Sequence, residues 1–95
     1  MKRKKTRSIV IIGRRWFDKA NGNTYFSAVT YVNGELVNTI EHEYGYDEMY
    51  IQESYRFLLD NKYLKHLNLP LWQVCRDNNI SLITHISDVG RKKDL

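Results

Sequence analysis

The sequence predicts an α+β domain of order β-β-β-α-α-β, a mainly antiparallel sheet with two helices on one face. Three observations carry this. Asn33-Gly34 stands between Thr30-Tyr31-Val32 and Glu35-Leu36-Val37, the residue pair that accepts positive φ at both centres of a two-residue hairpin. Ala20-Asn21-Gly22-Asn23 brings in an earlier extended segment. After Tyr44-Gly45-Tyr46 the apolar spacing changes from two to the helical period, and returns to a strand only near Ile80.

The first strand is read over Arg7 to Asp18. Its run Ile9 to Ile12 is too continuous for a one-faced strand, which places it centrally in the sheet. Gly13 interrupts the run and marks either a bulge or a close backbone approach. Strands two and three span Thr24 to Val32 and Glu35 to Glu43. A two-residue turn at Asn33-Gly34 sets Val32 opposite Glu35, Tyr31 opposite Leu36 and, in strict register, Tyr25 opposite His42. An even-numbered first turn sets Phe17 opposite Phe26 and Trp16 opposite Ser27.

Two faces follow. One carries Ile9, Ile11, Gly13, Phe17, Phe26, Ala28, Val32 and Val37, and is the face for helices to cover. The other carries Val10, Ile12, Arg14, Trp16, Tyr25, Ser27, Val29, Tyr31, Asn38, Ile40 and His42.

Asp47 is expected to cap a helix of about Glu48 to Asn61 with Ile51, Ser54, Tyr55 and Leu58 inward. Residues 62–69 read as a loop with His66 exposed. Pro70 begins a short helix over Leu71 to Asn78 that buries Leu71, Val74 and Cys75. Ile80 to Val89 is the fourth strand, with His85 at its surface. The domain limits follow: a flexible basic arm over 1–6, one α+β domain over 7–90, and a basic tail over 91–95.

With 95 residues and 42% hydrophobic content the chain is long enough for one small core. No apolar run approaches the roughly 18 residues a membrane span needs, and no secretory leader pattern is read. The single cysteine, Cys75, excludes an internal disulfide and fits a reducing, cytoplasmic setting. No zinc spacing, phosphate-binding glycine loop or nucleophile elbow is present. No cofactor is implied.

The net charge of +4 is segregated: +7 over residues 1–19, −5 over 20–89 and +2 over 90–95. Positive charge gathered at both ends of a chain suits a polyanion, since lysine and arginine gain by releasing phosphate counterions. Arg14-Arg15-Trp16 adds guanidinium forks beside an indole that can stack on a base. The candidate nucleic-acid-binding residues are therefore Lys2, Arg3, Lys4, Lys5, Arg7, Arg14, Arg15, Trp16, Tyr25, Tyr31, Arg91, Lys92 and Lys93. The acidic run Glu35, Glu41, Glu43, Asp47, Glu48 and Glu53 is read as solvated or partner-facing. Glu41 and Glu43 are expected on one face, with His42 on the other.

The segments Gly13-Arg14-Arg15-Trp16-Phe17, Gly22-Asn23-Thr24-Tyr25, Glu43-Tyr44-Gly45-Tyr46 and Asp88-Val89-Gly90-Arg91-Lys92-Lys93-Asp94-Leu95 together resemble a family of small uncharacterised bacteriophage proteins. The resemblance covers most of the chain and brings no activity, cofactor or catalytic residue with it. Histidine is frequent in that family where this chain has Phe26, which implies that no catalytic histidine stands there. A phage origin implies a bacterial host cytoplasm.

The functional expectation is a non-enzymatic accessory protein that binds DNA or RNA. The alternative is a protein-protein inhibitor of a host or anti-phage defence factor, or an oligomeric structural component, with the tyrosine-rich face as anchor and the acidic run as rim. Either leaves room for a homo-oligomer and neither involves a membrane. A metal-dependent nuclease using Asp18, Glu41 or Asp88 is the residual enzyme reading.

Overall fold

In the computed structural model, which describes residues 5–45, 47–65 and 68–95, β1 (Ser8–Asp18) runs through the interior of a four-stranded sheet. β2 (Asn23–Val32) pairs antiparallel with β1, and β3 (Glu35–Tyr44) pairs antiparallel with β2. β4 (Ser81–Val89) lies parallel to β1 on its other side, giving the order β3-β2-β1-β4. The continuous apolar run of β1 thus has a strand on each side, as its pattern requires. Between β3 and β4 the chain forms α1 (Met49–Asp60) and α2 (Leu71–Asp77).

Both helices pack on the face bearing Ile9, Ile11, Phe26, Ala28 and Val32. Tyr50, Leu58, Leu71, Val74 and Cys75 come down onto it, and Leu64 and Ile80 close the ends. Phe26 is 2% exposed, with its ring against Gly45. Burial pushes the Cys75 thiol up to about 11, so it packs as a small hydrophobe. Tyr50, Ser54 and Leu58 are the buried residues of α1, at helical spacing. The buried Ser54 hydroxyl donates to the Tyr50 carbonyl at 2.7 Å and is thereby satisfied. Asp47 does not cap α1. It adopts φ 54° while Glu48 occupies the cap position without a side-chain bond. The left-handed turn at Asp47 turns its carboxylate away from the role its position suggested.

Gly13 is a close approach and not a bulge: the β1·β2 register runs unbroken from Ile9 opposite Val32 to Asp18 opposite Asn23. A Cβ at Gly13 would lie 2.7 Å from Tyr50 Cδ2 and 2.8 Å from Ile86 Cδ1. Glycine there lets the α1 tyrosine ring rest on the strand backbone. The first turn takes up Lys19 to Gly22, closed by Gly22 N–H donating to Asp18 O at 2.7 Å. Parity is therefore as expected, but the register moves by two residues, and Trp16 stands opposite Tyr25 in place of Ser27.

The Asn33-Gly34 turn has φ values of 52° and 83°. The register begins as expected, with Val32 opposite Glu35 and Tyr31 opposite Leu36. It then shifts twice, so that Thr30 meets Asn38 and Tyr25 meets Tyr44. Each shift adds one residue to β3. A bulge lets Val37 and Ile40, three residues apart, both pack against the core. Asn38 and Ile40 accordingly move to the helix-covered side, opposite Thr30 and Ala28, in place of the open face where strict alternation put them.

Asn33 also fixes the start of β1. Its side chain donates to Lys5 O at 3.0 Å and accepts from Arg7 N at 2.8 Å and Ser8 N at 3.1 Å. Thr6 is buried, with its hydroxyl on Tyr63 O at 3.2 Å, so Lys5 to Arg7 belong to the folded unit and not to a free arm. Asn33→Gly keeps the turn conformation and deletes only these side-chain bonds. It should cost about 1–2 kcal/mol in chemical denaturation, and an unchanged midpoint would contradict this account of the stitch.

Candidate nucleic-acid interface

With both helices on one side, the opposite sheet face is left open. On it, β1 places Ile12, Arg14 and Trp16; β2 places Tyr25, Val29 and Tyr31; and β4 contributes Ile83, His85 and Ser87 through its register with β1. Rings from three strands form a row at one end. Trp16 and Tyr25 lie 5.9 Å apart with planes 23° from parallel, and Tyr25 and His42 lie 4.7 Å apart at 26°. Tyr44 meets Tyr25 edge-on at 5.8 Å and is 61% exposed. On the β4 side, the strand neighbour of Trp16 is Val89 and not a further ring. The stack therefore ends at the indole.

This row depends on the two register changes. The shift of the first turn brings Trp16 beside Tyr25, and the β3 bulges bring both His42 and Tyr44 to the same ring. His42 and Tyr44 were absent from the candidate residues read from sequence. Alternation along β3 puts His42 on this face opposite Tyr25, but Tyr44-Gly45-Tyr46 reads as the turn from sheet to helix. Strict alternation gives one partner opposite Tyr25 where a bulge supplies two.

The basic residues divide into two groups. Arg14 is exposed on the open face, and its Nη1 donates to Asp94 O at 3.1 Å. Beyond β4, a single 3-10 turn (Lys92–Asp94) folds back here, with Arg91 Nε on Asp94 Oδ2 at 3.3 Å. Asp18 is held below the ordinary carboxylate range, first by the hydrogen bond from the Asn21 side chain and, less strongly, by the charge of Lys92. Arg14, Arg91, Lys92 and Lys93 thus gather at the ring end of the sheet.

Lys5 and Arg7 lie at the other end, beside the Asn33 turn. The ten residues separating Ser8 from Asp18 along β1 put about 33 Å between these poles. Tyr31 pairs with Val10, six residues and about 20 Å along β2 from Tyr25, so it stands apart from the ring row. Arg15 points to the helix side and binds Asp88, Nε to Oδ1, at 3.0 Å. The expectation of one basic surface joining both termini is corrected accordingly: strand parity sends Arg15 to the wrong face, and the parallel β4 carries the chain's end away from its start. Lys2, Arg3, Lys4, Tyr46 and His66 lie outside the described residues.

The acidic candidates are not brought together. Asp18 accepts from the amides of Ala20 and Asn21 in its own turn, Asp88 is on Arg15, and Glu41 lines an open-face depression with Ile12, Arg14, Ser27, Val29 and Leu95. Glu43 is opposite Phe26 on the helix side, and Glu41, in the bulge between the Ala28 and Phe26 pairings, lines together with it a depression against α1. Among the described residues no group of three His, Cys, Asp or Glu side chains is placed to hold a metal ion, and no helix is long and apolar enough to cross a membrane.

No family model, curated protein or solved structure matches this chain.

Proposed function

We propose that the protein is a non-enzymatic nucleic-acid-binding protein that takes a single-stranded segment of DNA or RNA on the ring end of its open sheet face. The observation that carries this reading is the Trp16–Tyr25–His42 stack on the side the helices leave uncovered. An unpaired base continues such a stack on the indole, and any base will do because each has a π-face. A duplex keeps its bases stacked on each other and offers no such surface, which favours the single strand. Arg14, Arg91, Lys92 and Lys93 supply phosphate contacts beside the rings. Lys5 and Arg7 lie where a longer strand would leave the sheet. Glu41, in the same depression as Arg14, opposes phosphate beside that arginine. The phage-like segments fit an accessory role in a bacterial cytoplasm.

Titration of a fluorescently labelled oligothymidylate at rising salt tests the reading. The binding constant should fall by about 10- to 100-fold between low and moderate salt, with a slope set by three or four phosphates. Reversing the charge of Arg91, Lys92 and Lys93 together should abolish most of that slope. No retention at low salt would sink the proposal. It would favour the second reading, an inhibitor or structural component that binds protein, which the exposed Leu36, Tyr44 and Ile83 support.

A further inference from the structure

The two outer edges of the sheet are built differently. β3 carries Glu35, Glu41 and Glu43 and two bulges, the devices by which an edge strand resists addition of another strand. β4 has none of these. It is nine residues long, keeps register with β1 at every one of them, has no proline or lysine, and holds Asp88 as its only carboxylate.

Its hydrogen-bonding direction can be read from one contact. Ser81 N–H donates to Arg7 O at 2.9 Å, so Ser81 and every second residue after it direct their backbone groups toward β1. Leu82, Thr84, Ile86 and Asp88 therefore direct theirs outward. Among the described residues no strand lies on that side.

We propose that β4 pairs antiparallel with β4 of a second copy of this chain, giving one continuous eight-stranded sheet. The fit is self-complementary when the twofold passes through His85. Leu82 then lies opposite Asp88 and Thr84 opposite Ile86, so all four outward residues of each copy are used, in about eight hydrogen bonds. Asp88 meets the leucine and not its own copy, and keeps Arg15 as its ion partner, so no carboxylates are opposed, and the one residue that faces its own copy is His85 at the twofold. Ile83, 57% exposed, gains cover from the second strand.

A head-to-tail pairing of β4 on β3 would instead grow an open filament. The glutamates and bulges of β3 block it, and the closed twofold pair remains. That twofold is perpendicular to the sheet, which sets both helical layers on one side and joins the two open faces on the other. The inference does not depend on what the open face binds.

Light scattering with size-exclusion chromatography over a wide concentration range tests it, with amide exchange on the same samples. The expected mass is twice the 11.4 kDa of the chain, with the outward amides of Leu82, Thr84, Ile86 and Asp88 protected. Thr84→Pro removes an outward donor while leaving the β1 ladder intact, and should give a folded monomer with unchanged circular dichroism. Ile83→Lys leaves every backbone donor in place and should weaken the pair at least tenfold. It serves as the deciding variant if the proline form does not fold. A single-chain mass at the highest concentration, a dimer that survives both substitutions, or growth into filaments would each overturn the proposal.

Discussion

Gly13→Ala should lower the unfolding free energy by about 2–3 kcal/mol, close to the upper cost of overpacking, and lower the melting temperature by about 10–20 °C for a domain of this size. The new methyl would sit 2.7 Å from Tyr50 Cδ2 and 2.8 Å from Ile86 Cδ1. Tyr50 is buried against the strand and cannot swing clear without opening the contact between α1 and the sheet. Of a total stability of roughly 5–15 kcal/mol, such a loss is severe. A valine at the same position should leave too little for folding. Pairing Gly13→Ala with Tyr50→Leu tests the cause, because a smaller side chain makes room for the methyl. The double substitution should then be more stable than the sum of the single losses predicts. Strict additivity, or a neutral Gly13→Ala, would mean the ring does not rest on that backbone.

The second large effect is on binding. Trp16→Ala and Tyr25→Ala should each weaken affinity for a single-stranded oligonucleotide by about tenfold, and together by about a hundredfold, since stacking contributes roughly 1–3 kcal/mol per base. Tyr31→Ala is the comparison that matters. It is on the same face but about 20 Å away along β2, and should change affinity less than threefold. Trp72→Phe, an exposed residue of α2, should change nothing and leaves Trp16 as the fluorescent reporter. Thermal denaturation of each variant separates loss of fold from loss of contact. Equal affinities across the set would remove the ring row from the binding site, whatever the basic residues do.

The tail that folds onto the open face carries both signs of charge. Asp94 accepts from Arg14 through its backbone carbonyl and from Arg91 through its carboxylate, so both guanidinium groups nearest the rings already have an oxygen partner, and Arg91 an anionic one. A phosphate arriving there exchanges one oxygen partner for another and does not fill an empty position. The net gain from these arginines is correspondingly modest, and the rings must carry most of the affinity. Because its charge is already paired, Arg91 should contribute less to the salt dependence than Lys92 and Lys93.

The sequence by itself determined the element types and which residues of β2 face the core, while the facing of β1 waited on the length of the first turn, and Phe17, expected on the covered face, is 53% exposed beyond the helices' reach. Asn33-Gly34 permits only a tight hairpin, and alternation with period two assigns Phe26 and Ala28 to one side and Tyr25 and Ser27 to the other, whatever the register. It also told that β1 is interior, through the unbroken Ile9 to Ile12. Tertiary structure alone decided how far the strands slide past each other. A shift of two residues preserves every face, so nothing in the alternation distinguishes Trp16 beside Tyr25 from Trp16 beside Ser27. The bulges of β3 escaped for a related reason: they arise because Val37 and Ile40 both gain by reaching a core that exists only once α1 has packed. The separation of the basic ends was likewise invisible, because it follows from β4 lying parallel to β1. Local patterns fix which way a side chain points, while the neighbours it meets depend on contacts between residues far apart in the chain.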